Sequence, residues 1–205
     1  MAVEEIVRVV REWKPEDMDE ITGVDGGPLQ EVETKLLVAL KRANLRIWKE
    51  AEAKPERKGM GTTSTAALIE NDEMTVAHVG DSRAYLIRGD RIRQITEDHS
   101  WVNEQVKAGF ITGEEARTHR LKNLITRSLG HEPHVKVDVL RLALKEGDRF
   151  ILCSDGLTNM VMDDEIVDVI LGREARAALE HLVKMANERG GNDNITAVMI
   201  EIHPD

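Results

Sequence analysis

Phe150-Ile151-Leu152-Cys153-Ser154-Asp155-Gly156 is an apolar run that ends abruptly in an acidic turn. Gly190-Gly191-Asn192-Asp193-Asn194 mirrors it by opening into the apolar run Ile195-Thr196-Ala197-Val198-Met199-Ile200. Each run has the length and composition of a buried strand, so each aspartate stands at a strand end on a tight turn. Two such loops can aim carboxylates at one hard cation, which points to a metal site for phosphate chemistry. The same residues also make ordinary turns, because Asp and Asn bond their own backbone and Gly accepts positive φ.

Outward from these loops the strand pattern continues. From Thr62 the hydrophobic period approaches two, which predicts strands over Thr62 to Ile69, Met74 to Val79, Ala84 to Ile87 and Arg91 to Ile95. Asn71-Asp72 and Gly89-Asp90 supply hairpin turns between them. Further strands are expected at Leu124 to Leu129, Val135 to Leu142, Arg149 to Cys153 and Ile195 to Ile202. Val3, Ile6, Val7 and Val10 give a helical stripe that stops at Pro15, and Val32, Leu36, Leu40, Ala43, Ile47 and Ala51 mark a longer helix. Thr22 to Pro28 is loop by composition. Asp163 is expected to cap a helix reaching Leu171, and Ala175, Leu179, Leu182, Val183 and Ala186 mark another. Between the strands, residues 99–123 form a polar excursion with two short helices, one capped by Ser100 and one opened by the capping box of Thr112 and Glu115. Helices at both ends of an antiparallel strand series predict an α+β fold, a two-sheet core with helices outside.

Composition bounds the function. A chain of 205 residues without a long linker is expected to form one domain, residues 1–205, with 99–123 as a flap-like insertion. The net charge of −10 argues against nucleic acid, since a polyanion is bound by a basic face that releases its counterions. Arg83, Arg88, Arg91 and Arg93 could guide an acidic substrate or form the solvated face of a hairpin. Cys153, the single cysteine, lies in an apolar run and reads as a buried core thiol in a reducing compartment. With neither a signal peptide nor a membrane-spanning run in the sequence, a cytoplasmic location without membrane contact is expected.

A third loop sharpens the reading. Ala77-His78-Val79-Gly80-Asp81-Ser82-Arg83-Ala84-Tyr85-Leu86-Ile87 reads as strand, Gly-Asp-Ser turn and strand, with Gly59-Met60-Gly61-Thr62-Thr63 before it and Glu97-Asp98-His99-Ser100 after it. From about Leu29 onward the ordered motifs GMGTT, HVGDSRAYL, EDHS, TRSLG, LCSDGL and GGNDNIT resemble the bacterial metal-dependent protein phosphatases, the PPM or type 2C serine/threonine phosphatases. The resemblance implies a four-layer α-β-β-α sandwich of antiparallel sheets and a site holding two Mg²⁺ or Mn²⁺ ions, with a weaker third. Bridged divalent ions lower the pKa of a shared water and hold phosphoryl oxygens for in-line attack, and all-oxygen ligands suit Mg²⁺ or Mn²⁺.

By the same resemblance, Asp155 and Asp193 bind one ion of the pair and Asp81 serves the additional metal. Thr62, Thr63, Gly156, Ser82 and Asn194 fall near the site. His99 either organises the flap entrance or acts as a helix-capping residue. Phosphorylated proteins, among them a serine/threonine kinase or its targets, are the implied partners.

The family also begins with an Asn-Glu/Asp-Asp segment and an Asp-Gly-Met-Gly-Gly-His segment that supply the bridging aspartate and the general acid. Neither occurs here, and Asp25-Gly26-Gly27 follows no apolar strand and reads as a loop. No catalytic acid is therefore assigned. Relative to the family, the sandwich is expected to lack its two N-terminal strands. Reduced metal occupancy and self-association through exposed sheet edges are the corresponding expectations. The alternatives to an active phosphatase are an inactive phosphatase-like binding module and an incomplete fragment.

Overall fold

The strands and helices sort into two compact units: residues 1–80 with 125–143, and residues 81–124 with 144–205. The computed structural model describes residues 1–14 and 29–204. The predicted loop at Thr22 to Pro28, with Asp25, lies outside the described residues.

In the first unit, α1 (Ala2–Arg11) and α2 (Glu31–Ala53) accompany a three-stranded antiparallel sheet in the order β1 (Ser64–Glu70), β2 (Glu73–Val79), β5 (Asp138–Ala143). Leu36, Leu40, Ala43 and Ile47 of α2 share a core with Ala77 and Val79 of β2, as their alternating four- and three-residue spacing predicts. The α1 stripe is rotated from expectation. Val3 and Val7 are exposed, and the helix buries Val9 and Glu5 instead. Glu5 is tolerated there because Arg8 and Arg46 both bond its carboxylate, and these bonds hold its pKa below the usual range against the opposing effect of burial.

Two predicted strands of this unit are corrected. Leu124 to Leu129 forms no strand; Ile125 and Leu129 make isolated bridges only, that of Leu129 to Thr62. Leu124 and Ile125 remain exposed, and Asn44 of α2 instead fastens the following turn. Its Oδ1 accepts from Gly130 N–H at 2.7 Å and its Nδ2 donates to the carbonyls of Glu132 and Pro133. The strand expected from Val135 begins at Asp138, because β2 ends at Val79 and Asp138 pairs with His78, the last residue of β2 with a partner in β5.

The second unit holds a four-stranded antiparallel sheet in the order β4 (Arg91–Gln94), β3 (Arg83–Arg88), β6 (Arg149–Cys153), β7 (Ala197–Glu201). α6 (Asp163–Leu171) and α7 (Ala175–Glu188) cover one face, with Ile166, Ile170, Ala178 and Leu182 packed on Tyr85 and Ile151. Asp163 begins α6 rather than capping it. Met162 is the N-cap residue, and its N–H donates to Glu165. The excursion contains α3 (Trp101–Lys107) and α4 (Gly113–Thr118), capped by Ser100 and Thr112 as the sequence predicts. Both predicted hairpin turns are present, with Asn71 at φ 52 and Gly89 at φ 62. Taken together, the described residues form an α+β fold of antiparallel sheets with flanking helices.

Candidate active site

The two acidic loops meet. Cys153 pairs with Ala197 at the end of the β6–β7 ladder, and Ser154 carries the join one residue further. Its N–H donates to the Thr196 carbonyl, its Oγ accepts from Thr196 N–H, and its hydroxyl donates to the Asn194 carbonyl, each at 3.0 Å. Asp155 then opens the single turn α5 (Asp155–Thr158), and Asn159 Nδ2 donates to its Oδ2 at 3.2 Å. Gly156 is required by close approach: a Cβ there would lie 2.4 Å from the Asn194 carbonyl oxygen and 3.3 Å from that of Asp193. Asp193 is exposed, and its Oδ1 accepts from Asn194 N–H at 2.7 Å.

Asp81 sits on the turn between β2 and β3, after Gly80 at φ 116. A Cβ at Gly80 would meet Thr63 Cγ2 at 2.4 Å, which gives Thr63 a packing role under that turn. Thr62 itself bonds Leu129 through its backbone and donates its hydroxyl to the Thr63 carbonyl. Asp81 is buried, and its pKa rises to about 6, first through burial and then through the charges of Asp155 and Asp98. Asp155 is raised too, by burial and then by Asp193. Repulsion therefore links Asp81 to Asp155 and Asp155 to Asp193, with Asp155 in the middle. Among the described residues no group of three or more His, Cys, Asp or Glu converges to hold a metal by itself. The all-carboxylate donor set and its mutual repulsion nevertheless fit a hard divalent cation, which would relieve the raised pKa values.

Asp81 and Asp155 line one cavity of about 380 Å³ together with Asp98, Arg83, Asn159, and Arg117 and Lys122 from the excursion. Sequence reasoning missed Asp98, Asn159, Arg117 and Lys122. Arg83, read as a guide for substrate or a solvated residue, is instead bonded to Asp98 through Nε and Nη2 and to the Tyr85 hydroxyl through Nη1. Burial opposes its charge, yet Asp98 and Tyr85 raise its pKa above the ordinary arginine value. The Tyr85 hydroxyl in turn donates to Asp163 Oδ1 at 3.0 Å. Arg88 is likewise committed, to the buried Asp148, whereas Arg91 stays in solvent. In sequence, the Arg83–Asp98 pair is marked by the presence of both residues in family motifs, HVGDSRAYL and EDHS. His99 is buried and lines no part of the cavity; Ser100 caps α3 in its place. Ser82 is half-buried and outside the cavity lining. Cys153 is buried, its thiol pushed up to about 12 by burial, as an inert core cysteine should be.

Asp81 and Asp155 thus share one cavity, whereas Asp193 lies outside its lining, and comparison with known proteins identifies the class. The profile of the family "Protein phosphatase 2C" matches residues 25–195. The serine/threonine phosphatase stp of Listeria welshimeri serovar 6b is 39% identical over 173 residues, 84% of this chain and 69% of that protein. The crystal structure of the Mycobacterium tuberculosis serine/threonine phosphatase PstP/Ppp superposes with a TM-score of 0.84 at 32% identity, covering 99% of this chain and 82% of that one. The catalytic domain of PstP in complex with two manganese ions aligns with a TM-score of 0.81 at 32% identity, over 99% and 81% of the two chains. The chain belongs to the protein phosphatase 2C family.

Proposed function

We propose that this chain hydrolyses phosphoserine and phosphothreonine in proteins, with divalent cations held by Asp155, Asp193 and Asp81. The observation that carries the reading is the joining of the SDG and DN loops: Ser154 bonds Asn194 and Thr196, and Gly156 lies beneath the Asn194 carbonyl. When bound, Mg²⁺ or Mn²⁺ supplies a water of lowered pKa and neutralises phosphoryl charge. The chain's own groups fix the donors. Asn159 holds Asp155, the Asn194 amide holds Asp193, and the Gly80 turn aims Asp81.

The substrates fit phosphorylated proteins, including a serine/threonine kinase or its targets. A cytoplasmic location belongs to the same proposal and rests on the single buried thiol, Cys153. Among the described residues no helix is long and apolar enough to cross a membrane. Self-association is proposed through β7, which ends its sheet among the described residues and exposes Val198. Concentration-dependent sedimentation would reveal it.

The deciding experiment is Mn²⁺-dependent phosphate release from a phosphothreonine peptide, with Asp155→Asn as control. Turnover lost in the variant supports the assignment. Equal turnover by the variant, or none by the folded parent chain, overturns it.

A further inference from the structure

The cavity carries an internal charge pattern that the metal-site reading leaves unused. Three carboxylates, Asp81, Asp98 and Asp155, and three cations, Arg83, Arg117 and Lys122, line it. Arg83 is spent on Asp98. Arg117 and Lys122 are different. Among the described residues neither makes a hydrogen bond or ion pair through its side chain, whereas Arg8, Arg46, Arg88, Arg149 and Arg189 are each paired with a carboxylate. Arg117 acts on Glu165 only at a distance, since Arg189 already bonds both oxygens of that carboxylate. What sets them apart from other unpaired cations of the chain is that both line this cavity beside Asp81 and Asp155.

They are also held in place. Arg117 lies in the last turn of α4, a helix started by the reciprocal Thr112–Glu115 bonds. Lys122 is half-buried and donates its backbone N–H to the His119 carbonyl. His119 is fixed in turn: its Nδ1 accepts from Leu121 N–H at 3.1 Å, and its ring stacks on Trp101 at 5.0 Å. Trp101 N–H donates to the Leu124 carbonyl, closing the far end of the turn onto α3. The backbone that presents Lys122 is thus tied at both ends, so little ordering entropy opposes a ligand there.

We propose that Arg117 and Lys122 form an anion subsite that receives the carboxylate of an acidic residue flanking the phosphoresidue of a protein substrate. The inference rests on the phosphatase reading, which assigns the phosphoryl group to the wall of Asp81 and Asp155. The second anion is then a neighbour in the peptide. An extended peptide points adjacent side chains in different directions, so a flanking Glu can reach Arg117 and Lys122 while the phosphoresidue is turned to Asp81 and Asp155.

The test compares fluorescent phosphothreonine peptides that carry Glu or Gln on both sides of the phosphoresidue, by anisotropy in the presence of Mn²⁺. Two part-exposed charge pairs predict a preference for the Glu peptide of about fivefold. In the Arg117→Gln/Lys122→Gln double variant the preference falls to unity. In Arg176→Gln/Lys184→Gln, which removes the same charge from the α7 surface, it persists. Equal affinities in the parent chain, survival of the preference in the first double variant, or its loss in the second would overturn the subsite. The unphosphorylated Gln peptide separates the two readings. If phosphorylation is recognised but Glu and Gln are not distinguished, the subsite alone falls. If phosphorylated and unphosphorylated peptides bind alike, the phosphatase reading falls with it.

Discussion

Replacing Gly156 by alanine adds one methyl group where β6 hands over to α5. An ideal Cβ would lie 2.4 Å from the Asn194 carbonyl oxygen and 3.0 Å from its carbon, whereas ordinary contact begins at about 3.4 Å. The facing backbone must therefore retreat by about 1 Å. It is not free to do so, because the Asn194 carbonyl accepts the Ser154 hydroxyl at 3.0 Å. Overpacking a buried site costs about 1–3 kcal/mol, and the strained Ser154 bond adds about 1 kcal/mol, for a loss of about 2–4 kcal/mol. In a chain of this size that lowers Tm by about 4–16 °C. The residues pushed aside include Asp193, so Mn²⁺ affinity falls with stability. Calorimetry measures both, by thermal scan and by Mn²⁺ titration. Gly147→Ala is the control. Its φ of 79 brings conformational strain, but no atom lies within 4 Å of the added carbon, so its cost is about 1–2 kcal/mol with Mn²⁺ binding intact. A Gly156→Ala protein whose Tm stays within about 2 °C of the parent would show that the two loops are not in contact.

Asn159→Ala removes the donor to Asp155 Oδ2 and is expected to weaken Mn²⁺ binding about tenfold; unchanged titration isotherms would exclude a positioning role. Arg88→Leu strands the buried Asp148, and its cost in chemical denaturation should shrink as pH falls from 8 to 5. In the parent chain burial raises the pKa of Asp148, but Arg88 and the Lys145 amide outweigh it and hold the pKa low. That stability is present above the unfolded pKa and lost only as pH falls through the folded one. Without Arg88 the balance moves toward the raising effect of burial, so protonation on acidification relieves the variant before the parent. A gap that widens on acidification would contradict this. Cys153 should resist alkylation in the native chain at pH 8 and react fully after unfolding, because burial pushes its thiol up to about 12; rapid native labelling would show the core to be open.

The fold was readable where a residue's own pattern decides its state. The α2 stripe and the β6 run are long and periodic, and Asn71 and Gly89 mark their hairpins by positive φ. Failures occurred where a partner decides. Glu5 is buried on α1 because arginines on two helices reach it, which no apolar periodicity can announce. Leu124 to Leu129 has strand composition but finds only isolated bridges, at Ile125 and Leu129, and no continuous ladder, and Val135 to Val137 extend beyond the end of β2. The SDG and DN loops were legible because glycine and aspartate at strand ends serve a geometry that few other residues allow. Asp98, Arg117 and Lys122 were not, since a charged residue looks the same in sequence whether it faces solvent, a partner or a cavity.

That ambiguity of charge bears on how an acidic chain can act on phosphoproteins. A net charge of −10 suggests repulsion, but the charges lining the cavity balance, three against three. Arg83 and Asp98 cancel within the lining, which leaves Asp81 and Asp155 balanced by Arg117 and Lys122. Any divalent cation taken up by the carboxylates turns this balance positive, while the remaining acidic surface is screened beyond about 8–10 Å at physiological salt. The overall charge then sets solubility, and the local pairing sets what the cavity accepts. Added salt should accordingly weaken the Glu-over-Gln preference without reversing it. A preference that inverted at low salt would mean that the global charge, not the cavity, governs approach.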